Sequence, residues 1–338
     1  MRLITGGLGF VGRALASRLL EEGEKVRVLD RRTPAHPLPP GCDYIQADVC
    51  DYAAVRGACR SVDIVFNLVS LLPCSRAGRD FWRVNVNGTA NVLKASEEMG
   101  VRKVVHLSSS IVYGIPQEVP LREDSPVAPV GDYGKSKLAA EKHCRDYLAR
   151  GLDTTILRPR FIVGPGRLGL LTILFEWIRL GRSIYTIGSG KNRFQMVSVD
   201  DLIEACVLTQ DRARGEIINV GADRVPTVYE LLSDLVHHAG SHSSIVPIPA
   251  MLARNSLRVL DFFHLTPLGT EHYLIADKEY VLDTTKARTI LGWTAKQDMY
   301  AALRAAYDWY CSNREGLARD SEQDFPEEGV LKLLKLIS

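Results

Sequence analysis

The run Arg2-Leu3-Ile4-Thr5-Gly6-Gly7-Leu8-Gly9-Phe10-Val11-Gly12 decides the fold. Its first four residues are a short apolar stretch that stops at glycine. Beyond Gly12, Ala14, Leu15, Leu19 and Leu20 recur at helical spacing until Gly23. Strand, glycine turn and helix in that order form the setting in which a dinucleotide pyrophosphate meets a helix N-terminus. The spacing is G-x-x-G-x-x-G. Gly6 permits a tight turn, Gly9 lets backbone approach the phosphates, and Gly12 lets the helix pack closely on the strand. Val26 to Leu29 predicts a second strand ending in Asp30, an acid placed to accept the adenosine ribose hydroxyls. Asp30 repels the extra phosphate of NADP and argues for NAD. Arg31 and Arg32 follow directly and are able to accommodate that phosphate, so NADP stays as the alternative.

Outward from this run the alternation continues. Residues 33–41 are a proline-rich loop. Asp43 to Asp48 predicts a third strand, with Asp48 and Val49 at the adenine position of a doubly wound sheet. Val62 to Phe66 predicts a fourth strand, leading into Asn67, Leu68, Val69 and Ser70 where a cofactor crosses the sheet. Phe81 to Met99 has a helical period. Lys103 to Leu107 predicts a fifth strand that delivers Ser108, Ser109 and Ser110 at its carboxyl end. A helix from Tyr133 to about Arg150 and a sixth strand from Thr154 to Leu157 follow. Strands and helices in such regular alternation predict a parallel sheet covered on both faces.

Tyr133 and Lys137, four residues apart, project from one helix face. A phenol titrates near pH 10, and a neighbouring ammonium lowers that value toward neutrality. A serine hydroxyl from another element can then hold a substrate oxygen against the phenol. This is equipment for moving a proton while a hydride moves elsewhere.

Composition narrows the classes. The chain has 338 residues, 46% hydrophobic and 24% charged, with net charge +2, as in an ordinary globular protein with a small-molecule substrate and no nucleic-acid footprint. Seven cysteines are dispersed without a Cys-x-x-Cys pair, which argues against disulfides and metal and for reduced thiols in the cytoplasm. No run is long enough for an integral membrane segment.

TGGLGFVG, Asp30, SSSIVYG, YGKSK and LRPRFIVGPG, in this order, resemble the extended short-chain dehydrogenases/reductases, the NAD-dependent epimerase/dehydratase group. The resemblance runs on through Asn85-Val86-Asn87-Gly88-Thr89, Val199-Asp200-Asp201-Leu202, Asn219-Val220-Gly221, Asp283 to Arg288 and Leu291-Gly292-Trp293, covering residues 1 to about 312. It implies an α/β fold, a Rossmann doubly wound parallel sheet with a smaller C-terminal substrate-binding domain. Residues 1–160, with 197–222 returning, would bind NAD. Residues 161–196 and 223–314 would bind substrate, and 315–338 would form a C-terminal extension. It also implies Tyr133 as catalytic acid/base and Lys137 as the group that lowers its pKa and binds the nicotinamide ribose. Counting back from Val112 makes Ser109 the catalytic serine, with Ser110 as alternative. Gly6, Gly9, Phe10, Val11, Asp30, Asp48, Val49, Leu68, Val69, Asn85 and Pro159 fall on family cofactor-contact positions. Members commonly dimerise through the helix that bears the Tyr-Lys pair.

The expected enzyme transfers hydride at a carbinol carbon, with a nucleotide sugar as leading substrate. Where nucleotide-sugar members carry an asparagine and an arginine, this chain has Phe161 or Ile162, and Phe194. Arg160, Arg167 and Arg193 are able to bind a diphosphate by charge-assisted bonds. LRPRFIVGPG and IGSGKNRF are similar to the hydroxysteroid dehydrogenase and β-keto acid reductase branch, which keeps a lipophilic substrate open. Dehydratases resemble a Thr-Asp-Glu triplet where this chain has Ser109-Ser110-Ile111, which disfavours water elimination. A non-catalytic NAD sensor would need no Ser109, Tyr133 or Lys137. The greasy stretch from Pro247 to Leu265 reads as core or pocket wall, and 315–326 as an acidic loop. Residues 330–337 read as a short amphipathic helix able to dock on the body, on a partner or on a membrane.

Overall fold

A computed structural model describes residues 1–34, 38–75, 77–167, 169–263, 266 and 268–320. Its strands are β1 (Arg2–Thr5), β2 (Val26–Asp30), β3 (Cys42–Gln46), β4 (Ile64–Asn67), β5 (Lys103–Leu107), β6 (Asp153–Pro159), β7 (Phe161–Val163), β8 (Ile184–Ile187), β9 (Met196–Ser198), β10 (Ile217–Val220) and β11 (Ile245–Ile248). A seven-stranded parallel sheet has the order β10-β6-β5-β4-β1-β2-β3. The winding reverses between β1 and β4, where Thr5 stands opposite Leu29 on one side and Asn67 on the other. This is the doubly wound Rossmann arrangement, and ligands bind at the crevice where its strand order reverses.

The strands are apolar on both faces because helices cover both; β4 is buried along its whole length. Against one face lie α1 (Phe10–Glu21) and α6 (Val199–Arg212), whose Leu15, Leu19, Leu202 and Cys206 share a core with Ile4, Phe66, Leu157 and Ile218. Against the other lie α2 (Tyr52–Ala58), α3 (Thr89–Glu98) and α4 (Asp132–Ala149). The helical period from Phe81 opens as a π-helical turn, Phe81–Gly88, before α3. The wider turn accompanies Asn85, whose Oδ1 accepts from the Leu71 N–H at 2.8 Å.

Residues beyond β6 form two small parallel pairs, β7 with β9 and β8 with β11. Around them lie α5 (Leu170–Arg179), α7 (Val228–His238), α8 (Ala250–Phe262), α9 (Thr270–Ile275) and α10 (Met299–Asp320). Phe175, Leu235, Leu303 and Tyr307 belong to a separate core there. Two expectations change. The stretch 247–265 is mostly α8, which packs on α9 and β8. Met251, Leu252, Val259 and Phe263 are exposed, Met251 by 73%, so these four are not core; the apolar residues outnumber what one packed face can cover. Residues 315–320 continue α10 instead of opening a loop, carried by the buried Ala306, Tyr307 and Tyr310 face. Residues 321–338, with the tail at 330–338, lie outside the described residues. Among the described residues no helix is long and apolar enough to cross a membrane, and no cluster of acid, histidine and cysteine side chains could hold a metal.

Candidate active site

The glycine run builds a cradle at the carboxyl end of β1. Gly6 has φ +69°, the left-handed region. A Cβ on Gly12 would fall inside the Gly6 carbonyl oxygen, and one on Gly7 inside the Val28 side chain. The start of α1 is therefore seated tightly, with Gly9 as an N-cap that makes no side-chain bond, and its first N–H groups face outward. Phe10 and Val11 open the helix, half-buried. Asp30, at the end of β2, accepts from the Leu8 N–H at 3.0 Å and from the Arg32 N–H at 3.0 Å. The Arg32 side chain adds a 3.3 Å ion pair to the same carboxylate, whereas Arg31 is exposed.

Asp48 caps the next turn through the Cys50 N–H (2.9 Å) and pairs with Arg83 (3.2 Å). Val49 is buried against the π-helical turn, touching the space above Gly88. Val69 lies over Gly6, and the Leu68 N–H bonds the Thr5 carbonyl (3.3 Å). Pro159 ends β6 opposite Val220. Asn85 donates to Ser136 Oγ at 3.0 Å and so ties its turn to α4. An adenine dinucleotide fits this set: side-chain-free glycines where phosphates approach backbone, a carboxylate at the ribose, and buried Val49 at the adenine end.

Tyr133 and Lys137 share the buried face of α4. Ser109 and Ser70, at the carboxyl ends of β5 and β4, lie beside the Tyr133 phenol. Burial raises its pKa and is the largest influence; the two serines and the charge of Arg167 pull it down, and the carboxylate of Glu271 pushes it up. Lys137 is 1% exposed, and burial draws its ammonium down to about 8. Its Nζ donates to the Leu107 carbonyl at 2.6 Å, and the charge of Arg167 also bears on the phenol. The serines divide. Ser109 is half-buried beside the phenol, its Oγ accepting from the Ile111 N–H at 3.3 Å, while Ser110 is 1% exposed and its carbonyl accepts from Tyr280 Oη at 2.5 Å.

Beneath them runs a buried polar network that the sequence reading missed. Glu141 Oε1 accepts from Ser108 (2.6 Å) and Arg158 Nε (2.9 Å), and Glu141 Oε2 accepts from Arg158 Nη2 (2.7 Å). Arg158 also reaches Tyr113 Oη (3.0 Å), which donates to Asn219 Oδ1 (2.7 Å). Glu141 stands one turn after Lys137, a spacing that could have revealed it. Glu271, in the six-residue α9, and Tyr280, outside any helix or strand, offered no such signal.

The arginines singled out for substrate part company. Arg193 is exposed and holds Glu279 at 2.8 Å. Arg167 lies 5.6 Å over the Phe10 ring. Arg160 is buried, stacked on Phe194 and Tyr280, and Phe161 meets Phe194 with ring centroids 5.8 Å apart.

The family model for the NAD dependent epimerase/dehydratase family matches residues 2–221. A protein of Sinorhizobium fredii named only as uncharacterized protein y4nG is 35% identical over 94% of this chain and 80% of its own. A UDP-glucose 4-epimerase of Mycolicibacterium smegmatis is 30% identical over 86% of this chain and 92% of its own. Among solved structures, MoeE5 in complex with UDP-glucose and NAD superposes with a TM-score of 0.77 at 26% identity, covering 93% of this chain and 99% of that one.

Proposed function

The chain belongs to the NAD-dependent epimerase/dehydratase family, and on that footing we propose that it moves a hydride at a carbinol carbon of a nucleotide sugar. NAD, when bound, accepts the hydride and can return it. Tyr133 exchanges the proton of the substrate hydroxyl, Ser109 holds that oxygen against the phenol, and Lys137 orients the nicotinamide ribose from the floor of the site. The glycine turn and Asp30 hold the pyrophosphate and ribose. Residues 161–196 and 223–314 enclose the substrate, and the protein works as a cytoplasmic homodimer paired through α4.

The observation that carries this reading is the buried Tyr133 phenol beside Ser109 and Ser70, which follow β5 and β4 on the carboxyl side of the sheet, next to its reversal between β4 and β1. A UDP-sugar-binding relative and a neighbour solved with UDP-glucose and NAD support the substrate class. The Phe161–Phe194 ring pair favours a second reading, a β-keto or sterol-like lipid. A thermal-shift panel on NAD-loaded protein decides between them. UDP-, dTDP- and GDP-sugars are compared with steroid and β-keto acid ligands, and stabilisation by the lipids alone overturns the nucleotide-sugar reading.

A further inference from the structure

Arg160 follows Pro159, just past the end of β6, with its backbone N–H on the Val220 carbonyl at 2.8 Å. It is 7% exposed. Its guanidinium carbon lies 4.1 Å from the Tyr280 ring centroid and 4.7 Å from that of Phe194. Nε and Nη2 are both buried, and neither has a hydrogen-bond partner.

A guanidinium is all donors and no acceptor, and burying one without an answering charge is costly. Burial draws Arg160 down to about 10, which still leaves it charged at neutral pH. Two aromatic faces return part of the lost hydration through cation–π attraction, but ring faces cannot accept the in-plane N–H groups. Nε and Nη2 point in parallel from one edge of the group, the fork that fits two oxygens of a carboxylate or phosphate. Arg158, two residues earlier, shows that edge in use: its Nε and Nη2 meet the two oxygens of Glu141. Arg160 presents the same edge with no acid opposite.

The location is as telling as the vacancy of the fork. Tyr280, which walls one side of the guanidinium, bonds the Ser110 carbonyl, and Ser110 adjoins the Ser109 hydroxyl beside Tyr133. One aromatic ring therefore separates Arg160 from the turn that carries the catalytic serine. The other wall, Phe194, is joined to Tyr280 by an isolated backbone bridge, so the two rings flank the fork as one unit.

We propose that Arg160 is the receptor for an oxyanion, a carboxylate or a phosphate group, carried by the substrate and gripped side-on through Nε and Nη2. The identity of the substrate rests on the nucleotide-sugar reading; the receptor itself responds to any small oxyanion of that shape. A neutral sterol would leave the charge unanswered.

The test compares the full-length, NAD-loaded wild type with Arg160→Met and Arg160→Lys, using thermal shift and calorimetry. The probes are UDP-glucose, UDP-glucuronate and inorganic pyrophosphate. Arg160→Met is expected to melt no lower than wild type, since an unanswered buried charge is removed. It should keep its NAD affinity and lose about tenfold or more in affinity for the probes wild type binds. Arg160→Lys, a point charge without a fork, should fold and lose most of the same affinity, and it decides the matter if the methionine variant does not fold. Loss shared by UDP-glucose and pyrophosphate identifies a phosphate; loss confined to UDP-glucuronate identifies a carboxylate. Equal binding by wild type and the folded variants overturns the proposal while leaving the nucleotide-sugar reading intact. A wild type that answers pyrophosphate but no UDP-sugar, with Arg160→Met answering neither, sinks that reading and keeps the receptor. No response of wild type to any of the three overturns both.

Discussion

Lys137 Nζ donates to the carbonyl oxygen of Leu107 at 2.6 Å, tying the middle of α4 to the last residue of β5. The bond fixes the helix face that carries Tyr133 directly beneath the serine turn. It also holds a charge where burial disfavours one, which gives the lysine a thermodynamic signature.

Lys137→Met is expected to abolish turnover and yet stabilise the protein at neutral pH. The folded pKa of about 8 lies below the ordinary lysine value of 10.5. Wild type therefore carries the cost of a buried ammonium below pH 8 and sheds it as pH rises toward 10.5. The gain from methionine, on the order of 3 kcal/mol at pH 7, should shrink through that window and vanish above it. Denaturant unfolding of both proteins from pH 6 to 10.5 measures it. A gain that grows with pH would refute the assignment.

Tyr133→Phe removes the proton-exchanging hydroxyl and little else, because the ring still packs on Phe81 at 6.1 Å. Turnover should fall by about 10²–10⁴ with NAD affinity kept. A variant at full rate on any identified substrate would remove Tyr133 from the chemistry.

Gly12→Ala puts a methyl group into the Gly6 carbonyl oxygen. The α1 helix must then back away from β1, and NAD binding should drop below detection in calorimetry while the far-UV spectrum is retained.

Asp30→Ala deletes the acceptor that holds both Leu8 and Arg32. NAD affinity should fall about tenfold, and the ratio of NADP to NAD affinity should rise as Arg32 turns to the 2′-phosphate. Fluorescence titration with both cofactors checks the ratio.

Arg158→Met leaves Glu141, fully buried, without its close, two-pronged counter-charge, with only the half-exposed Arg145 remaining at 3.8 Å. The expected loss is about 3–5 kcal/mol in equilibrium unfolding. Replacing Glu141 by methionine as well should recover much of it.

The sheet and cradle were legible because their signals are local. Apolar runs end in glycine, Asp30 closes a strand, and Tyr133 and Lys137 lie one helical turn apart. The edges of that legibility are physical. Helical spacing could not reveal that the Lys137 ammonium bonds the Leu107 carbonyl, nor that Arg167 brings its charge to the phenol from beyond β7. Tyr280 meets the site from a loop and Glu271 from the short helix α9, where only tertiary packing decides the neighbour. The α8 residues Met251 and Leu252 were apolar and therefore read as interior, yet a surface contains many such atoms.

The strand β10 comes from residues 217–220 and pairs with β6, and α6 of the same segment packs on α1. During synthesis, the first 160 residues therefore emerge with β6 as an open edge and the apolar side of α1 bare. Neither is covered until about sixty further residues have left the ribosome. A fragment ending at Pro159 should associate or precipitate rather than bind cofactor, while one extending past Gly221 holds every strand of the sheet. The order of manufacture, and not only the final architecture, makes this chain indivisible at the boundary where its two halves seem to meet.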